Sequence, residues 1–431
     1  MKTVSGGAAA VIRERWLLIP GCLRAYPLGV TTRWWRMILE EPYRVFFPLG
    51  MLAGMGGVML WPLHYGQWLG FNPLEAHPRL MIEGFMGAFV LGFLGTAFPR
   101  VVGNRGWFAG EFLLLLGLWA GVVGSAASGR VVAADGFFAG LLGLLFCGLA
   151  LRWAWGHRDT PPPGFLLALT GLLGGALAAA CLACGGGLWL GLGGQAWAKL
   201  WLFQGLLLLP VMGIGPYLLP RFFGLPSSHS FDDSPRPPAG WWLRVGAAVF
   251  WGLHLVASFA LEVHGYPLLG HLLRAAVIGV WFALETPVFR RGKVSSTPGN
   301  VVRLALVGML AGCGAAAFWP TARIGALHLF FAAGLGLLTL AVGTRVILGH
   351  AGRHDLLVGR LRWLRWAAGL LVLAATTRMS ADFLPTVRTS HHIYAAWTWV
   401  LGGMLWFWAL SRFLWRREGV PKPRSKCPRR R

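Results

Sequence analysis

The stretch ALHLFFAAGLGLLTLAVGTRVILGHAGR, residues 326–353, decides the fold class. Between His328 and Arg345 it carries no ionisable residue, and a helix of that length approaches a hydrocarbon core of about 30 Å. Polar side chains inside lipid are costly. An imidazole at one end and a Thr344-Arg345…Gly349-His350-x-Gly352-Arg353 cluster at the other therefore predict a site at each membrane face. Some 17 residues of helix hold His328 and Arg345 about 25 Å apart, so the two ends belong to different sites.

The rest of the chain repeats the pattern. Of its 431 residues 56% are hydrophobic and only 13% are charged, with a mean hydropathy of +0.60, which excludes an ordinary soluble domain. Twelve windows are long enough to span, at roughly 44–63, 79–99, 107–127, 131–151, 164–190, 198–220, 241–261, 267–289, 302–319, 324–348, 363–383 and 391–414. Lipid leaves the backbone only helices or a closed barrel, and long apolar runs rule out the alternation of a barrel. The expected fold is all-α, a polytopic membrane helix bundle of about twelve transmembrane helices. Residues 1–42 form a basic N-terminal arm, 43–415 the twelve-span domain and 416–431 a basic tail. With a cytoplasmic N-terminus all but seven of the 39 Lys and Arg fall on the cytoplasmic side, which places both termini there. Arg290-Arg291-Gly292-Lys293 is one of the heaviest basic runs on that side. The net charge of +24 is then a topology signal and a contact with anionic lipid; no nucleic-acid partner is expected. Val30 to Glu41 mixes Trp34, Trp35, Met37, Ile38 and Leu39 with Arg33 and Arg36, which suits a helix lying in the interface. No cleavable signal peptide is expected, since residues 1–41 lack a continuous apolar stretch.

Applied to the histidines, this topology puts His64, His77, His254, His264, His271, His328, His391 and His392 on the outer side or in the outer half. Imidazoles from different helices converging at one depth are how a bundle holds a haem iron or copper. His77 opens span two, His328 lies in the first outer turns of span ten and His254 lies past the midplane of span seven; these three are the candidate metal ligands. Adjacent residues on a helix point about 100° apart, so at most one of His391 and His392 faces a given site. Cys181-Leu-Ala-Cys184 could hold a soft metal, but reads first as small residues at a helix contact. Glu83 and Glu262 are intramembrane acids that either partner a histidine or pair with an arginine such as Arg79 or Arg274. Pro210, Pro216 and Pro220 predict a break in span six.

The run His328-x16-Arg345-x4-His350-x2-Arg353 resembles a signature of the NnrS family of twelve-span bacterial membrane proteins. The resemblance extends to His77-Pro-Arg-Leu-Met81-x2-Gly84-Phe85 and Gly92-Phe93-Leu94-x-Thr96-Ala97-x-Pro99 in span two, and faintly to Pro216-x3-Pro220-Arg221 in span six. It implies haem as a cofactor, copper as a second one, a bacterial inner-membrane location and a role near nitric oxide and nitrosative stress, with a small diatomic ligand and a redox partner. Carried over by residue, it points to His77, His328, Arg345, His350 and Arg353 as cofactor-binding positions, with His254 and His391 as candidates from the reading above. The sequence also departs from the family. Arg79 and Leu80 stand where the family has His and Glu, and Arg cannot ligate a metal. Span nine carries no His, and Gly213 and Phe222 replace polar residues of span six. Either His254, His271 or His391 substitutes as a ligand, or one cofactor is absent. Two other classes stay open, a twelve-span transporter of an anion or metal and a non-catalytic assembly or sensor protein. A transporter requires broken helices or paired halves, and residues 40–225 and 240–415 show no evident internal repeat.

Overall fold

The computed structural model describes residues 30–416, apart from 186–190, 232, 287 and 291–295. The N-terminal arm before residue 30, most of the Arg290–Lys293 run and the basic tail from 417 lie outside the described residues. Among those described there is no strand.

Twelve helices build the bundle: α1 (Tyr43–Tyr65), α2 (Ala76–Val101), α3 (Ala109–Ala127), α4 (Val131–Ala154), α5 (Phe165–Ala183), α6 (Gly191–Phe223), α7 (Trp241–Val263), α8 (Pro267–Glu285), α9 (Thr297–Phe318), α10 (Pro320–His350), α11 (Arg362–Phe383) and α12 (Arg388–Leu414). Eleven are long and apolar enough to cross a membrane. The other, α11, has 22 residues but carries Arg378 and Asp382, which pair at 2.9 Å. The amphipathic stretch ahead of α1 is helical over Val30–Glu40, and Trp34 packs on Trp415 with ring centroids 5.4 Å apart.

Packing repeats every four helices. The first lies on the second in each set (α1 on α2, α5 on α6, α9 on α10), and the third lies on the fourth (α3 on α4, α7 on α8, α11 on α12). Each set then joins the next, α4 on α5 and α8 on α9, and α12 returns to α1. The bundle is three four-helix units closed on themselves. A search for two equivalent halves passes over such a repeat.

The second helix of each unit departs from α geometry. Leu80–Met86 in α2, Trp201–Gly205 in α6 and Leu329–Gly336 in α10 are π-helical. A π turn leaves one residue without its α-type bond and concentrates at functional sites. Here the three π segments surround one internal cavity. Close backbone approach accommodates one of them. A Cβ on Gly308 of α9 would stand 2.5 Å from the Ala333 carbonyl oxygen.

Two of the three prolines of span six do not break it, and the third, Pro220, lies in the 3-10 turn Leu219–Phe223 that ends it. α6 is helical through Pro210 and Pro216. The carbonyl that Pro216 frees, that of Met212, accepts a bond from the Trp281 indole N–H at 3.0 Å. Pro99 of α2 is treated the same way, its freed Gly95 carbonyl accepting from Trp107 at 2.8 Å. Neighbouring side chains thus satisfy backbone groups that lipid cannot.

Candidate functional site

A cavity of about 1000 Å³ opens between α2, α6 and α10 toward the end of the bundle where α2, α6 and α10 begin, at the upper end of the range for cofactor and ligand sites. His77, His328 and His392 stand on its wall, as do Trp61, Phe85 and Trp399. The His77 and His328 ring centroids lie 6.3 Å apart with planes inclined by 15°.

Both imidazoles are oriented by the backbone. His77 donates from Nδ1 to the Gly57 carbonyl of α1 at 2.9 Å, and His328 donates from Nδ1 to Ile324 at 2.7 Å. Since a carbonyl only accepts, each Nδ1 carries the proton and each Nε2 keeps its lone pair. Neither Nε2 has a hydrogen-bond partner among the described residues. Tying one ring nitrogen to a carbonyl is how proteins fix the tautomer of a metal-ligating histidine. Metal–imidazole bonds of about 2.0–2.1 Å on either side of one ion, with half a ring beyond each nitrogen, put two opposed centroids about 6 Å apart. The observed centroid spacing is of that size, with the two ring planes nearly parallel.

Four cations ring the cavity, Lys199, Arg323, Arg378 and Arg388. Three of them meet carboxylates on the same wall: Lys199 with Glu75 at 2.8 Å, Arg323 with Glu262 at 3.0 Å and Arg378 with Asp382 at 2.9 Å. Glu75, just ahead of α2, is pushed up by burial but held below the ordinary carboxylate value by its hydrogen bonds to Lys199 and Arg79. Among the described residues Arg388 reaches only the Ala381 carbonyl, at 3.5 Å, so the described rim carries more positive than negative charge. Behind the wall, Arg274 bonds Glu262 at 2.8 Å and Gln204 at 2.9 Å. Glu262 thus pairs with arginines. Arg79 pairs with Asp135 of α4, through two bonds of 2.8 Å. Glu83 is fully buried next to that pair, and neither of its oxygens meets a hydrogen-bond donor.

The other expected residues are dispersed. His254 donates from Nδ1 to Phe250 on its own helix at 2.8 Å and lies against the Phe250 ring; it does not reach the cavity wall. Of the His391-His392 pair, His392 faces the cavity and bonds the Tyr65 hydroxyl at 2.7 Å, with its Nε2 buried and unpartnered. His391 instead meets Ser380 at 2.9 Å. At the opposite face Arg345, His350 and Arg353 share no site. Arg345 lies over the Phe222 ring at 4.8 Å. His350 contacts Arg100 and the Tyr43 ring, and Arg353 meets Asp355 at 2.7 Å. Cys181 and Cys184 end α5 as free thiols.

Lys199, Gln204, Arg378 and Arg388 escaped the sequence reading. Their signal was present, as polar residues inside or at the ends of apolar spans, but only the fold shows that three helices aim them at one space. Among the described residues no three His, Cys, Asp or Glu side chains gather as a metal-holding group. A porphyrin iron asks for only one or two protein ligands, and an imidazole pair, aromatic walls and a cationic rim match that demand. A copper site built from three protein ligands is not matched. The profile of a family described as NnrS protein matches residues 37–417. No curated protein matches the chain.

Proposed function

The chain belongs to the NnrS family, and from that premise we propose that the large cavity holds a haem and serves nitrogen-oxide or related redox metabolism in a bacterial inner membrane. The observation that carries this reading is the His77–His328 pair, 6.3 Å apart on the wall of a cavity of about 1000 Å³. His77 and His328 would ligate the iron through Nε2, with Gly57 and Ile324 holding the rings in place. Arg388, which no carboxylate engages, would meet a propionate, and Arg323 and Arg378 stand beside it on the rim. Trp61, Phe85 and Trp399 would cover the flat faces of the macrocycle and exclude water. Bound there, haem supplies one-electron chemistry and a position for a diatomic gas such as nitric oxide. A gas would compete with the two imidazoles for such an iron, so either His77 or His328 would have to give way for it to bind. His392 lies on the same wall to receive or donate a proton.

Purified protein should show a Soret band and bind iron. His77→Ala and His328→Ala should each shift or abolish that band, whereas His254→Ala should leave it unchanged. Colourless, iron-free wild-type protein from haem-replete cells would overturn the proposal.

A further inference from the structure

A second cavity, of about 110 Å³ and open along one side, lies further along the same seam between α2, α6 and α10. Phe89, Val90, Leu207, Val211, Leu338 and Val342 form much of its wall. Thr339 is the sole side chain there with a polar group, and its hydroxyl donates to the Leu335 carbonyl at 2.8 Å. Water needs two to four polar partners to settle in a cavity, and apolar cavities of about 150 Å³ stay dry and bind xenon or benzene. This space is therefore suited to a small uncharged molecule.

The two cavities meet at one side chain. Among the described residues Met86 alone lines both. It is the last residue of the α2 π segment, and the π segments of α6 and α10 end at Gly205 and Gly336 on either side of the same boundary. Methionine is unbranched and adaptable, which suits it to act as a movable stopper at that boundary.

We propose that the small cavity takes up apolar gas molecules from the hydrocarbon core and passes them by Met86 into the histidine cavity. A small apolar gas partitions into lipid, and this seam offers it no charge to cross. The route rests on the reading of the large cavity as a gas-binding site; uptake by the small cavity does not.

Xenon NMR on the detergent-solubilised protein tests uptake with or without cofactor. The wild type should show a saturable bound-xenon signal that Val342→Trp abolishes, with Val342→Phe as a smaller plug should the first variant fail to fold. Absence of the signal in wild type, whether the space is closed or filled by an acyl chain, overturns uptake. Delivery is read by carbon monoxide rebinding after photolysis of the haem-loaded protein. The plugged variant should rebind more slowly with an unchanged Soret band, and Met86→Ala should rebind faster. Unaltered rebinding in both variants overturns the route. Protein that binds xenon but carries no haem would count against the haem reading alone.

Discussion

At the scale of single residues, burial separates the side chains that hold the protein together from those left with chemistry to do. Arg79 is 3% exposed and Asp135 1% exposed, and removing one partner of such a pair strands the other charge. Arg79→Ala should cost about 3–5 kcal/mol of unfolding free energy, and adding Asp135→Ala should recover part of it; equal additive losses in a double-mutant cycle would contradict the pairing. That Arg79 is a fixed charge at the start of an apolar span was legible in the sequence, and its partner was not. Asp135 lies 56 positions away, on a helix whose contact with α2 no local pattern announces. His77 and His328 were legible because each opens an apolar span. His254 stood out as a lone imidazole deep inside a span, yet its ring turns back onto Phe250. A lone polar residue in a span marks a need for a partner without saying whether that partner is a cofactor or the helix's own backbone.

Among elements, tryptophan supports irregular helices. Trp281, Trp107 and Trp119 donate to the carbonyls of Met212, Gly95 and Gly84. The first two carbonyls are freed by prolines, and the third lies in a π segment. Trp281→Phe should therefore lower stability by about 1–2 kcal/mol, the cost of leaving a buried acceptor unmade. Pro216→Ala supplies a backbone N–H for the Met212 carbonyl, so Trp281→Phe should cost measurably less in that background. Thermal unfolding of the four proteins of this cycle decides it. The sequence showed the prolines but led to an expected break, because the rescuing indoles come from other helices. It was silent on the π segments. An i→i+5 bond has no composition of its own, yet the extra residue turns everything beyond it by about 100°. That turn sets which side chains of α2 and α10 share a wall with His77 and His328.

Across the whole molecule, the bundle is fastened at the face opposite the histidines. Glu41 bonds Arg100 at the end of α2 at 2.8 Å and pairs with Arg44, whose guanidinium reaches the Leu414 carbonyl at the end of α12. Burial pushes the Glu41 carboxyl up, but the Arg100 hydrogen bond and the nearby Arg44 and His350 charges hold it below the ordinary value of 4.5. A depressed folded value means that the stabilisation is complete above the unfolded value and is lost as pH falls through the folded one. The melting temperature should drop as pH falls below about 4.5, and Glu41→Gln should be less stable at neutral pH with a shallower acid limb. An identical acid limb in both proteins would discount the clasp. The apolar helices of the bundle were legible from hydropathy, eleven of them long and apolar enough to cross a membrane. The four-helix period was not, because it is written in packing between helices of unlike sequence. That period has a consequence for connectivity. Since α12 packs on α1 as α4 packs on α5 and α8 on α9, the native ends mark no special place in the architecture. A circularly permuted chain, its old ends joined by a linker and new ones opened in the loop at 224–240, would keep every span in its original direction and all three units in the same ring.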